Sequence, residues 1–307
     1  MKGNKTYILL GVFNVLVVAA YFLTADRGEK TATYKIEQKI INVDSASVDK
    51  LEIEQKGVKL VLVKAGIEWR ISQPVDYTAN QQSVASALHT LKVYKLESKV
   101  SDNPNNKDKY GFNDTNITKL TVYQNGNPVG TMMIGNAAGG QSQAYVKRLD
   151  GNEIYLASDF QHIDFVKFDI KDWRDKSIAS INRQFIKSIE FNLKDENYKI
   201  EKDSSGAFFI GKDSVNKTTM DGILNLLQNF NTEGFKDTTL ASGVKFDNVV
   251  KVNADRVFEY SFLKIGEAPA IKYILKASDK SLLFEVSEGF MKNLVKPKKE
   301  LLTGKPN

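Results

Sequence analysis

Leu60-Val-Leu-Val-Lys-Ala-Gly-Ile-Glu-Trp-Arg-Ile71 is the stretch that decides the fold of this chain. An apolar run is followed by a turn at Gly66, and an aromatic strand returns through Trp69 and Ile71. The same order recurs in Tyr198-Lys-Ile-Glu-Lys202, Gly206 and Phe208-Phe-Ile210. Short runs of apolar and aromatic residues bounded by turn residues read as strands. Their recurrence reads as an internal duplication.

Working outward, the match extends on both sides. Val48-Asp-Lys-Leu-Glu-Ile53 pairs with Ile186-Lys-Ser-Ile-Glu-Phe191. Downstream, Val84, Ala87, Leu88 and Leu91 fall at i, i+3, i+4 and i+7, and Met220, Ile223, Leu224 and Leu227 repeat the spacing. That periodicity predicts one amphipathic helix in each copy. Thr131–Gly135 matches Phe262–Gly266, Tyr145-Val146 matches Tyr273-Ile274, and Ile154–Leu156 matches Leu282–Phe284. Asn125-Gly126 and Asp150-Gly151 lie between strand-like runs and favour the primed turns of hairpins. A short helix or loop is expected at 160–168 and again at 290–295.

Strands gathered by turns, with one helix per copy, predict an α+β protein of mainly antiparallel sheet. The expected organisation is a cytoplasmic tip and transmembrane anchor at 1–24 and a stalk with a first strand, Tyr34–Val43, at 25–44. Two similar units follow at 45–178 and 179–298, then a basic flexible tail at 299–307. Whether the units share one continuous sheet is left open by the sequence.

Composition narrows the chemistry. The 307 residues include no Cys and two His, which excludes a disulfide scaffold and a thiolate metal site. The net charge of +6 sits at the ends. Residues 1–30 hold four basic and two acidic side chains, and 292–307 hold five lysines against one glutamate, which leaves 31–291 neutral. A nucleic-acid binder concentrates its basic residues on a folded surface, so no nucleic-acid partner is expected.

Tyr7–Leu23 is uncharged and apolar apart from Gly11 and Asn14. Its length reaches the lower limit for a membrane-crossing helix. Lys2 and Lys5 precede it, while the charges after it cancel, so the N-terminus is expected in the cytoplasm and the body outside. Small residues at Val18-Ala19-Ala20 also suit a cleaved signal peptide. The apolar run continues through Tyr21-Phe22-Leu23, which favours an uncleaved single-pass anchor in the inner membrane.

Several of these features together resemble the domain-of-unknown-function 4340 family. The residues that carry the likeness are Leu60–Ile71, Pro74, the helix from Asn80, and Tyr110-Gly111-Phe112, which is similar to the family's Tyr-Gly-Leu step. Ile134-Gly135, Ala144-Tyr145-Val146 and Trp173-Arg174-Asp175-Lys176 complete it. In the second copy Phe208 stands where the first has Trp69. The resemblance implies an N-terminal membrane anchor and an accessory role beside gliding-motility-type ABC transport systems. It implies no activity and no catalytic residue.

Gly135-Asn-Ala-Ala-Gly-Gly140 lacks the Lys-Ser/Thr of a phosphate loop and reads as a hairpin loop. Asp164, Asp169, Asp172 and Asp175 have Lys167, Lys171, Arg174 and Lys176 interleaved, which reads as a self-neutralised surface rather than an acid–base pair or calcium site. Trp173 reads as an anchor between the copies. His89 lies off the apolar helix face, and His162 has no nucleophile elbow to serve. The lysines from 292 to 305 read as a solvated tail. Tyr94, Tyr110 and Phe112 flank a polar stretch and are either core or a partner patch. The contact candidates are Trp173, Arg174, Tyr110, Phe112, Gly139 and Gly140. No cofactor, metal or catalytic residue is expected. The leading expectation is a non-enzymatic binding or scaffold protein working with an envelope protein of an ABC-type system. A small-molecule or glycan-binding domain is the first alternative, and an envelope hydrolase the second.

Overall fold

The computed structural model describes residues 12–13, 15–18, 38–140, 142–167, 169–241 and 243–302. Its strands form two nine-stranded sheets and one two-stranded ribbon. The first sheet is built from β1 (Val48–Gln55), β2 (Val58–Ala65), β3 (Glu68–Gln73), β4 (Tyr77–Thr78), β5 (Lys95–Ser101), β6 (Thr118–Gln124), β7 (Asn127–Ala137), β8 (Gln143–Arg148) and β9 (Ile154–Ser158). Helix α1 (Gln81–Val93) lies in sequence between β4 and β5. The strand order is β4-β3-β2-β1-β6-β7-β8-β9-β5, so α1 carries the chain from one edge of the sheet to the other.

The ribbon pairs β10 (Ser177–Ala179) with β15 (Phe230–Asn231). The second sheet uses β11 (Ser188–Asn192), β12 (Asn197–Lys202), β13 (Phe208–Ile210), β14 (Asp213–Ser214), β16 (Gly234–Lys236), β17 (Asn248–Asn253), β18 (Val257–Ile265), β19 (Lys272–Ala277) and β20 (Leu283–Ser287). Helix α2 (Lys217–Gln228) follows β14, and α3 (Glu288–Leu294) and α4 (Lys298–Leu302) close the described chain. Its order, β14-β13-β12-β11-β17-β18-β19-β20-β16, repeats that of the first sheet strand for strand. The fold is α+β, mostly antiparallel sheet with a few helices.

Local chemistry explains why the two copies build alike. Asn80 and Asn216 start the helices, and each side-chain oxygen accepts from a backbone N–H three residues on, Ser83 at 2.9 Å and Thr219 at 3.0 Å. This is the N-cap bond that an unpaired helix end requires. Val84, Ala87 and Leu91 of α1 are buried, as are Met220, Ile223, Leu224 and Leu227 of α2. In the second sheet these helix residues join one core with Phe191, Ile200, Val250, Val252, Tyr260, Phe262 and Phe284. Phe230 anchors it, with ring centroids 4.7 Å from Tyr260 and 5.1 Å from Phe290.

Backbone bonds outside the ladders also recur. Leu96 N–H donates to the Gln38 carbonyl at 2.9 Å, and Thr232 N–H to the Lys176 carbonyl at 2.8 Å. Asn80 N–H donates to the Trp173 carbonyl and Asn216 N–H to the Leu301 carbonyl, both at 2.7 Å. Cα packing groups the chain into two compact units. One lies within Met1–Asp49, Ile53–Gly57 and Leu88–Phe165, the other within Lys50–Glu52, Val58–Ala87 and Val166–Asn307.

Some local expectations are corrected. The strand read at Tyr34–Val43 is absent from its described part, residues 38–43. There the Ile41 backbone bonds to the hydroxyl of Tyr94 instead of to a neighbouring strand. The short helix or loop expected at 160–168 is, in its described part, a 3-10 turn, His162–Asp164, within a loop. Asn125 and Gly126 take the positive φ of a primed turn, 51° and 76°, but Asp150-Gly151 sits in a longer connection in which Gly151 accepts from the Lys147 ammonium at 2.7 Å. Residues 299–302, read as part of the tail, belong to α4, and Leu301 is fully buried. No helix among the described residues is long and apolar enough to cross a membrane. Most of Tyr7–Leu23 lies outside the described residues, as does 303–307.

Candidate functional site

The segment 169–177 carries Trp173, Arg174 and three of the four candidate carboxylates, and those carboxylates accept backbone hydrogen bonds. Asp169 caps the 3-10 helix Ile170–Trp173, accepting from Lys171 N–H at 2.9 Å, while Asp172 Oδ2 accepts from Asp169 N–H at 3.3 Å. Asp172 also takes the Lys176 ammonium at 3.0 Å, and Asp175 accepts from Ser177 N–H at 3.0 Å. Asp164 is buried and accepts from Thr90 Oγ1 at 2.6 Å. Each carboxylate thus accepts at least one bond that ties down the local backbone or a neighbouring side chain. Among the described residues no group of three or more His, Asp or Glu is placed to hold a metal ion.

Trp173 and Arg174 are both buried, at 1% and 3% exposure. The Trp173 carbonyl caps the start of α1, and the Lys167 ammonium lies 4.9 Å from the centre of its indole. Arg174 bridges Ala79 in antiparallel fashion, and Asp175 N–H donates to the Thr78 carbonyl at 2.9 Å. These bonds satisfy the outer edge of β4. The guanidinium grips Asp237 with Nη1 at 2.6 Å from Oδ1 and Nη2 at 3.3 Å from Oδ2. It also lies 5.0 Å from the centre of the Phe235 ring, which packs edge-on against Tyr77 at 5.5 Å.

Burial pushes the Asp237 carboxyl up, but the Arg174 hydrogen bonds and charge, joined by Lys171 at 3.5 Å, outweigh it and hold it below the usual carboxylate range. Burial likewise raises the Tyr77 hydroxyl, to about 12, with the Asp175 charge adding to it. A bidentate Arg–carboxylate pair with a buried guanidinium has fixed geometry, and removing the carboxylate strands the cation. This group is a clamp that holds 171–177 in place. Asp237 was not visible as a partner in the sequence because it lies 63 residues from Arg174.

Tyr110 and Phe112 belong to the other compact unit. Asp108–Tyr110 is a 3-10 turn ended by Gly111 at φ 83°. A Cβ on Gly111 would sit 2.3 Å from the Asn136 side chain, and one on Gly135 would sit 2.2 Å from the Tyr110 carbonyl. The Tyr-Gly-Phe step is therefore a close backbone crossing on β7. Phe112 is buried there, and Tyr110 is half-buried with its ring 4.7 Å from Tyr145. Tyr94 is fully buried as well, so the three aromatics form no exposed patch. His162 sits on the same crossing, with Nε2 2.8 Å from the Gly135 carbonyl. That acceptor places the ring proton on Nε2.

Gly135–Ala137 belong to β7, so the glycine loop is shorter than its sequence suggests. Gly139 and Gly140 lie in the exposed connection to β8, at φ 54° and 125°. A Cβ on Gly139 would collide with Gln143 Oε1, at 2.3 Å. Tyr110 and Phe112 pack on β7, the glycines shape a loop, and Trp173 and Arg174 form the clamp.

A family model described as Domain of unknown function (DUF4340) matches residues 69–248, more than half of the chain. No curated protein and no solved structure matches.

Proposed function

The chain belongs to the Domain of unknown function (DUF4340) family, and we propose that it is a non-enzymatic, membrane-anchored binding or scaffold protein of the cell envelope. The observation that supports the anchor is a run of exposed apolar helical residues among those described. Val12, Phe13, Val15, Leu16, Val17 and Val18 are helical and each is about half exposed or more. Contiguous exposed apolar surface marks a membrane or a partner. The basic residues Lys2 and Lys5 before it favour a cytoplasmic N-terminus and an extracytoplasmic body.

The non-enzymatic reading is supported by the engagement of Asp164, Asp169, Asp172, Asp175 and His162 in bonds that hold the fold. The proposed partner is a subunit of an ABC-type envelope transport system, and that part rests on the family resemblance, an associational warrant. Exposed hairpin residues such as Ile67 and Val257, 96% and 62% exposed, are suitable positions for a photocrosslinker. In intact cells, crosslinks from these positions to transporter subunits support the reading. Recovery of the chain alone contradicts the partner. Release of the chain from membranes by alkaline carbonate contradicts the anchor.

A further inference from the structure

We propose that the second sheet carries a binding cleft for a small ligand with one anionic head and a short apolar body. The cleft has a volume of about 360 Å³ and lies between the β13–β14 hairpin and the first turns of α2. That volume falls at the lower end of the range for ligand pockets, about 300–1,000 Å³. Its apolar floor is formed by Phe208, Met220 and Leu224. Its rim carries Arg183, Lys217 and Asp221.

The rim has two cations and one carboxylate. Asp221 accepts from Arg183 Nη2 and from the Lys217 ammonium, both at 2.6 Å. The hydrogen bond from Lys217, then that from Arg183, keeps the Asp221 carboxyl below its ordinary range, so it is ionised at neutral pH. A guanidinium has five donors and an ammonium three, so each cation keeps donors for a ligand after serving Asp221. The local excess is one positive charge above an apolar floor. That combination favours an anionic head and disfavours a cationic one.

In the first sheet the corresponding hairpin and helix are joined by side-chain hydrogen bonds. Trp69 and Phe208 occupy the same place, since Ala79 N–H donates to the Trp69 carbonyl at 3.1 Å and Val215 N–H to the Phe208 carbonyl at 2.8 Å. One residue after the cap, Gln81 stands where Lys217 stands in the second copy. The Gln81 carboxamide accepts from Trp69 N–H at 2.8 Å and donates to the Trp69 and Ala79 carbonyls at 2.9 and 2.8 Å. It stitches the hairpin to the helix. Lys217 has no acceptor to offer, turns outward with its side chain 88% exposed, and leaves the gap open. The inference is independent of the membrane anchor and of the protein partner.

The test uses the full chain in lipid nanodiscs with 13C-methyl methionine, because Met220 reports from the cleft floor while Met132 and Met291 report from elsewhere. The probe is phenyl phosphate, with benzyl alcohol and benzylamine as neutral and cationic controls. A saturable shift of the Met220 methyl signal is expected with phenyl phosphate, and binding about tenfold weaker or worse with either control. Arg183→Ala and Lys217→Ala each weaken phenyl phosphate by about tenfold while the Met132 and Met291 signals stay in place. The proposal is overturned if Met220 does not shift, if benzyl alcohol shifts it equally well, or if both variants bind as the parent chain does.

Discussion

Tyr94 and Phe230 occupy matching places, just after α1 and α2, and both are fully buried. They hold an adjoining strap of chain by different means. The Tyr94 hydroxyl accepts from Ile41 N–H at 2.8 Å and donates to the Ile41 carbonyl at 3.0 Å. Phe230 has no hydroxyl, and the matching strap pairs with it backbone to backbone, Ala179 opposite Phe230 in the β10–β15 ribbon. Helix ends follow suit. The Leu91 carbonyl takes the Lys39 ammonium at 3.2 Å, whereas the Leu227 carbonyl takes Ile181 N–H at 3.1 Å. A buried backbone must be satisfied in both copies, but the group that does it is free to change.

The sharpest way to break this comparison is to make the first copy resemble the second at one atom. Tyr94→Phe removes two buried bonds and strands both backbone groups of Ile41. A loss of about 3 kcal/mol is expected by denaturant unfolding. A neutral result would mean that the strap does not depend on the phenol.

The Arg174 clamp comes next. Asp237→Ala removes both carboxylate hydrogen bonds of a buried guanidinium and leaves it against the Phe235 ring, and because the carboxylate is partly solvated the expected cost is about 2 kcal/mol. Its pH dependence has a definite sign. The folded carboxyl lies below its unfolded value, so the stabilisation is complete above the ordinary carboxylate range, near pH 4, and is lost as pH falls through the lowered folded value. Melting temperatures of the parent chain and of Asp237→Asn should therefore converge as pH falls from 7 to 3.

Gln81→Lys is a milder exchange. It removes three hydrogen bonds that are only part-buried, and water can replace some of them. A cost of about 1–2 kcal/mol is expected, together with faster amide exchange at Trp69. The smallest effect is expected at Tyr260. Its hydroxyl is buried with no hydrogen-bond partner among the described residues. Tyr260→Phe should leave stability unchanged or raise it by up to about 1 kcal/mol, the opposite sign to Tyr94→Phe.

These contrasts also explain what the sequence disclosed. Apolar periodicity reports which side of an element faces the core, so α1, α2, β2, β3, β12 and β13 were legible, as was the duplication. The edge strands were not. β4 and β14 are two residues long, and β5, Lys-Leu-Glu-Ser-Lys-Val-Ser, has a nearly polar pattern because an edge is covered on few sides. Tyr94 and Phe112 sit beside polar stretches, and only the long-range crossing onto Ile41 and β7 buries them. Arg174 stood out by type, while Asp237 did not, because an ion-pair partner is set by three-dimensional register. The cleft was invisible for the same reason. Lys217 differs from Gln81 by an ordinary surface substitution, and its effect depends on the carbonyls that face it.

The account rests on the claim that one backbone plan is closed by Gln81 and left open by Lys217. A crystal structure of the Lys217→Gln variant tests it most directly. The account predicts a carboxamide within hydrogen-bond distance of the Phe208 backbone and a filled cleft above Met220. A side chain that stays in solvent over an unchanged cleft would contradict it.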